Sequence, residues 1–264
     1  MKKSIAILSV LFVLLALSAC QRVIDVQIPN AQQQIVIEAN LNNQKGLQTV
    51  NITNSVPYSS ANVYPTVSGA IVTITDALGN VYKLPETQPG VYTINNFFGK
   101  PQNYYALQVK VNGQTYNASG TMPAPVNLDS LSVIGQSFGS KLVKSVAVNF
   151  HDPAGVANQY RFLMYVNAVQ VQRVFTESDR LTDGRNVTSV LYESDIVLKT
   201  GDVVNVEMQC IDGPMYNYWY ALSSQGGNTP ADSATPSNPT SNISNGALGY
   251  FSVHTTQRQT IIIP

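Results

Sequence analysis

Apolar and polar residues alternate with a period of two along nearly the whole chain beyond residue 33, and turn residues break the pattern at short intervals. Successive side chains of a strand point to opposite faces, so this pattern specifies sheets that bury one face. It argues against helix bundles and solenoid repeats. Ile35, Ile37 and Ala39 alternate with Val36, Glu38 and Asn40, and Val50 and Ile52 alternate with Asn51 and Thr53. Residues 70–75 (AIVTIT) are rich in β-branched side chains, 76–80 read as a turn, and Val81, Tyr82 and Leu84 return. Residues 90–94 form another short strand. Tyr105, Leu107, Val109 and Val111 share a face and lead to Asn112-Gly113, which suits the positive φ angles of a two-residue hairpin returning through 115–119. About seven short strands in roughly ninety residues is sandwich spacing.

Thr121-Met122-Pro123-Ala124-Pro125 interrupts any ladder, because proline donates no hydrogen bond. A domain boundary is expected there: an immunoglobulin-like or transthyretin-like sandwich over 33–123, then a second β domain over 124–264. Segments 128–134, 142–150, 160–172, 187–192, 196–199 and 203–211 are its expected strands. Residues 176–186 are expected to be an exposed loop, and 225–245, almost devoid of apolar residues, a long one. Pro214–Ser224 is the one expected helix, since proline is tolerated in a first turn and Tyr216, Trp219 and Tyr220 share a face. Residues 249–255 and 257–263 close the chain as two strands.

The first twenty residues read as an address. Lys2 and Lys3 precede an apolar run from Ile5 to Ala16, shorter than the ~20 residues that span a bilayer. The run ends in Leu17-Ser18-Ala19-Cys20, the form of a bacterial lipobox. Residues 1–19 are thus expected to be a lipoprotein signal peptide, Cys20 the lipidated residue and 20–32 a tether. Two or more acyl chains anchor stably where one does not. Gln21, Arg22, Val23 and Ile24 form no acidic cluster after the cysteine, so the sequence leaves the extracellular and periplasmic faces equally open.

Charged residues are 11% of the chain, against roughly 25% in ordinary soluble domains. The net charge is zero, which gives no basic footprint for nucleic acid. Two Cys and two His are too few for an ordinary four-ligand zinc site. Gly135-Gln136-Ser137-Phe138-Gly139 matches a nucleophile elbow in letters, but a strand follows where the motif needs a helix. His151 and His254 read as strand-surface residues and Cys210 as a buried thiol. Asp179, Asp183 and Asp202 are oxygen donors of the kind calcium takes, yet their spacing fits no calcium loop and solvated charges are expected. Asn51, Asn117, Asn186 and Asn242 begin glycosylation triplets that an Asn-rich bacterial chain produces by chance. Tyr216, Tyr218, Trp219 and Tyr220 are the densest aromatic cluster; exposed they would suit a sugar or a partner pocket, and burial is expected for most of them. Asn242 and Asn245 are candidates for the same surface, with local side-chain turns the favoured role.

Several segments in order resemble the Bacteroidota lipoprotein family known as domain of unknown function 4249. They are the lipobox at Cys20, residues 35–39 (IVIEA), 67–72 (VSGAIV), 90–92 (GVY), 105–109 (YALQV), 128–131 (LDSL), 150–153 (FHDP), 201–204 (GDVV) and the ending 239–252 (PTSNISNGALGYFS). The resemblance implies an outer-membrane lipoprotein encoded beside a TonB-dependent receptor with a carboxypeptidase-regulatory-like extension. It implies an accessory role in uptake and no catalytic residues; no metal, and no cofactor besides the covalent lipid on Cys20, is expected. A free-standing glycan-binding or adhesion module and a structural envelope protein are the competing expectations.

Overall fold

The computed structural model of the protein describes residues 32–57, 60–138, 141–225 and 238–264. The expected signal segment, Cys20 and the expected tether up to residue 31 lie outside these, as do 226–237 of the expected long loop. Residues Gln33–Pro264 form one compact unit. Among the described residues, no helix is long and apolar enough to cross a membrane.

In the first half the strands are β1 (Ile35–Asn42), β2 (Gly46–Asn54), β3 (Ile71–Asp76), β4 (Val81–Leu84), β5 (Glu86–Gln88), β6 (Val91–Phe97), β7 (Tyr104–Val111) and β8 (Gln114–Thr121). The second half contains β9 (Ser130–Phe138), β10 (Lys141–His151), β11 (Gln159–Val166), β12 (Val169–Gln170), β13 (Phe175–Ser178), β14 (Asn186–Leu191) and β15 (Val203–Ile211). Helix α1 (Gly213–Ser223) and the long strand β16 (Leu248–Ile262) end the chain.

Alternation does what it predicts. Ile37, Ala39 and Leu41 of β1 and Val50 and Ile52 of β2 point inward, against Val72, Ile74, Leu84, Leu107 and Val109 of the facing sheet β4-β3-β7-β8. Each Val, Leu or Ile among them contributes about 1.5–3 kcal/mol when fully removed from water. A second core lies between the sheet β14-β10-β9 (Val146, Val148, Phe150, Val187) and β11 and β15 (Tyr160, Phe162, Met164, Val204, Val206). Phe150 packs on Tyr160 with ring centroids 4.7 Å apart. The chain passes from one core to the other between Met122 and Val126.

One sheet serves both sandwiches, in the order β12-β11-β15-β16-β1-β2-β6-β5, with β13 also on β11. Its centre is β16. Residues 248–254 pair parallel with β1, and residues 255–262 pair antiparallel with β15. Phe251 and Val253 belong to the first core, and Ile261 and Ile263 pack with the second. At the seam, Gly249 has φ +89° and sits against the Ile37 carbonyl, where a Cβ would collide with backbone.

The mainly β architecture, with one short α-helix among the described residues, is therefore as expected, and several boundaries are corrected. The two closing strands are one, because residues 249–256 are covered on both faces and the polar run Thr255-Thr256 continues the ladder while buried. The expected strand 160–172 is a hairpin, β11 and β12, turned by Asn167 and Ala168 at φ 50° and 68°. Residues 196–199 are not a strand: Asp202 Oδ2 accepts from the Lys199 amide (2.7 Å) and holds a turn. The expected loop 176–186 contains the end of β13 and a 3₁₀ turn at Asp179–Leu181.

Candidate functional site

Helix α1 begins at Asp212, whose Oδ1 accepts from the Met215 amide at 3.0 Å, with Pro214 in the first turn. The helix lays Met215 and Trp219 on β16 and β11, and both are buried. The Trp219 and Tyr250 rings meet edge-on at 4.9 Å, and Tyr218 packs 5.2 Å from Tyr250. The Arg161 guanidinium carbon lies 3.5 Å from the Trp219 ring centroid, a cation–π contact from the opposite strand. Arg161 Nη1 donates to Gln209 Oε1 (3.4 Å), Gln209 Nε2 to Glu207 Oε1 (2.7 Å), and Arg258 Nε to Glu207 Oε2 (2.8 Å). Burial pushes the Arg161 pKa down. Burial also works against the Glu207 carboxylate, but its bonds to Gln209 and Arg258 prevail and hold its pKa below the ordinary range.

This arrangement leaves Trp219 unable to present a face to a sugar. Tyr216 and Tyr220 stack at 5.7 Å on the helix's outer side, and Tyr220 is the exposed member. Tyr218 is half-buried, and its hydroxyl pKa is pushed up to about 12, mainly by burial. The aromatic cluster thus fastens α1 to the shared sheet through Trp219 and shows one ring, Tyr220, to solvent.

Asn242 and Asn245 lie on an arm, residues 238–247, that runs along the edge of β8. Asn242 Nδ2 donates to the Phe251 carbonyl (2.8 Å), and the Phe251 amide donates to Asn242 Oδ1 (2.9 Å). The Ser244 amide donates to the Asn117 carbonyl (2.9 Å), and the Asn117 amide to Ser244 Oγ (2.8 Å). Asn245 Nδ2 donates to the Thr115 carbonyl (2.5 Å), and Asn245 and Gly246 take left-handed φ values of 57° and 69°. The Asn242 and Asn245 amides are thus held by backbone, and the arm closes one end of the first core through Ile243 and Ala247.

Beside the arm, the outer face of the β4-β3-β7-β8 sheet forms an open groove of about 740 Å³. Ile71 and Tyr104, both about half exposed, stand among Thr73, Gln108, Asn117, Ser119 and Ser241, and Lys110 is the one charged lining residue. Sequence reading missed this groove. Its outward residues are the polar half of ordinary strand alternation and carry no motif. Hydrogen-bonding groups of no net acidity beside an aromatic ring can bind a neutral polar ligand.

The remaining sequence candidates are scattered. Ser137 lies within β9, and the Leu142 backbone opposes it in the β9–β10 hairpin, so no strand-to-helix elbow exists there; its side chain is outside the described set. His151 is exposed, with Nδ1 2.9 Å from Asn186 Oδ1. His254 is not at the strand surface as expected: it is 3% exposed, Nδ1 lies 2.9 Å from Ser252 Oγ, and burial lowers its pKa to about 4. Cys210 is buried and its thiol pKa is raised by burial. Asp202 caps its turn, far from metal duty. Asp179 is buried rather than solvated, because the Asn158 amide donates to its Oδ2 at 2.6 Å inside a fold of two loops.

Fold and surface together define a class: a mainly β protein of two sandwiches sharing one sheet, with a neutral polar groove and a fastened C-terminal arm. Residues 21–260 match the family described as "Domain of unknown function (DUF4249)", and the chain belongs to that family. A two-domain fibronectin type-III segment from chicken tenascin is similar over 69% of this chain and 92% of that one, at 13% identity and a TM-score of 0.22. No curated protein matches.

Proposed function

We propose that the protein is an outer-membrane lipoprotein, anchored by acyl chains on Cys20, that acts as a non-catalytic accessory subunit of a TonB-dependent nutrient-uptake receptor. Membership in the family over residues 21–260, beginning at the residue after the lipobox cysteine, carries this reading. The groove on the first sandwich supports a binding role, since its lining is polar, nearly neutral and free of Asp, Glu, His and Cys. No cofactor beyond the lipid enters the proposal.

Affinity purification of the full-length chain from gently solubilised outer membranes tests it. A TonB-dependent receptor is expected at near-equal stoichiometry, and Cys20→Ser should move the protein out of the membrane fraction. Recovery of the lipoprotein alone, from membranes that contain the intact neighbouring receptor, sinks the accessory reading.

A free-standing glycan-binding module is the second reading, and the groove beside Tyr104 favours it. Burial of Trp219 removes the platform first expected for it, so the discriminating variant is Tyr104→Ala. Receptor-free binding on a glycan array that this variant abolishes would favour the second reading over the first.

A further inference from the structure

Two loops of the second sandwich bring Asp152, Asp179 and Asp183 together so that one carboxylate oxygen from each lies within 4.8 Å of the others. Sequence reading groups Asp179 and Asp183 with Asp202 and expects solvated charges; Asp152, twenty-seven residues before Asp179, is not among its candidates. The fold supplies the proximity. The Asp152 amide donates to the Arg185 carbonyl (2.9 Å), the Asp179 amide to the Asn158 carbonyl (3.1 Å), and Gly184 packs against Ala154 so closely that a Cβ would lie 2.9 Å from it.

Each carboxylate is held through one oxygen by a neutral donor. The Tyr160 hydroxyl donates to Asp152 Oδ1, the Asn158 amide to Asp179 Oδ2 (2.6 Å) and the Gly155 amide to Asp183 Oδ1 (2.7 Å). A second observation is separate from this proximity. Asp152 is 0% exposed, and its Oδ2 has no hydrogen-bond partner among the described residues. Asp179 is buried as well, and no Lys, Arg or His among the described residues forms an ion pair with any of the three. Buried carboxylates without a positive partner are strongly disfavoured unless a cation or a proton compensates them.

We infer that Asp152, Asp179 and Asp183 bind a calcium ion that ties the two loops together. Calcium takes oxygen ligands at about 2.3–2.6 Å, so any two of its ligands lie no more than roughly 5 Å apart, and the three carboxylates are within that reach. Water completes the shell from the side of Asp183, the exposed member. The site is independent of the receptor role proposed above.

Full-length protein in detergent, stripped with EGTA, provides the test. Terbium, a luminescent calcium mimic, should emit on tyrosine excitation because Tyr160 touches Asp152, and calcium should quench that emission by displacement. Calcium at 1 mM should raise the melting temperature by about 5 °C. Asp183→Asn keeps an oxygen for the Gly155 amide and should fold, yet weaken calcium binding about tenfold or more. Absence of terbium emission together with an unchanged melting temperature at millimolar calcium overturns the inference. So does calcium binding that Asp183→Asn leaves unchanged, which puts the ion elsewhere. Stabilisation by Asp152→Asn in a protein with no calcium response also overturns it, because a shared proton then compensates the cluster.

Discussion

The first sandwich fills its interior with apolar side chains and admits Gln48 and Thr93 as its buried polar residues, whereas the second, with the seam strand β16, buries Asp152, Asp179, Glu207 and His254. Both halves arise from the same alternating pattern and similar strand lengths. They differ in what compensates the groups they bury. Gln48 satisfies itself on backbone: the Asn42 amide donates to its Oε1, and its Nε2 donates to the Gln44 and Phe97 carbonyls. Glu207 depends on Arg258, and His254 must stay neutral. Apolar and amide cores hold at any ordinary pH, while ionisable ones tie stability to protons and ions. The first half is therefore expected to respond to packing alone and the second to solution conditions.

Breaking the seam should have the largest effect, since it removes the element common to both halves. Gly249→Ala places a Cβ against the Ile37 carbonyl at φ +89°, a conflict that no side-chain rotation relieves. A loss of about 5 kcal/mol is expected in urea denaturation, with both sandwiches unfolding together. Separate transitions would show that the shared sheet does not couple them. Next comes Trp219→Ala, which leaves a cavity under α1 and strips the Arg161 guanidinium of its ring. About 4 kcal/mol is expected, read by the same method. Trp219→Phe should recover roughly half of it by refilling most of the space.

Acid sharpens the comparison. His254 has a folded pKa of about 4 against an ordinary 6.5, so the unfolded chain binds the extra proton first. The stability this neutral imidazole confers is fully present above pH 6.5 and is lost as pH falls through 6.5 towards 4, by about 3 kcal/mol in all. Glu207 acts in the same direction at lower pH. Its depressed pKa means its contribution is present above 4.5 and disappears below that value. Burial raises the Glu38 pKa above 4.5, so a carboxylate also titrates towards the interval between 6.5 and 4.5, and the His254 variant is what separates the histidine's share. His254→Gln should flatten the denaturation midpoint across that interval, and an unchanged slope would mean that another group governs the acid response.

How much of this was legible depended on whether a residue's neighbours in sequence are its neighbours in space. Ile37, Val72, Leu107 and Phe162 were readable as core because one face of each strand is wet and the other dry, so alternation reports burial directly. The helix was readable because Pro214 suits a first turn and Tyr216, Trp219 and Tyr220 recur at helical spacing; its cap, Asp212, emerged only in the structure. His254 and Thr255 were not, because β16 is covered on both faces and a strand without a wet side loses its alternation. The hairpin at Asn167-Ala168 lacked the glycine that marks such turns, leaving only asparagine's tolerance of positive φ as a signal. The carboxylate cluster was illegible for the plainest reason: Asp152 follows the end of β10, Asp179 begins a turn after three further strands, and only pairing between loops joins them.

The smallest effect examines the first sandwich on its own terms. The Tyr92 hydroxyl accepts from the Ala70 amide (2.9 Å) and donates to the Val67 carbonyl (3.0 Å), bridging β6 to the segment before β3. Tyr92→Phe keeps the ring, which is fully buried, and leaves both backbone groups without a partner. A loss of about 1.5 kcal/mol is expected. Neither backbone group titrates, and the nearby Glu86 carboxylate has its pKa lowered from 4.5 by the Gly69 and Gly90 amides, so no local proton is exchanged between pH 7 and pH 5. The loss measured by urea denaturation should therefore be the same at both values. A loss that grows on acidification would place a titrating group in contact with this core and remove the distinction between the halves, because the first would then sense protons as the second does.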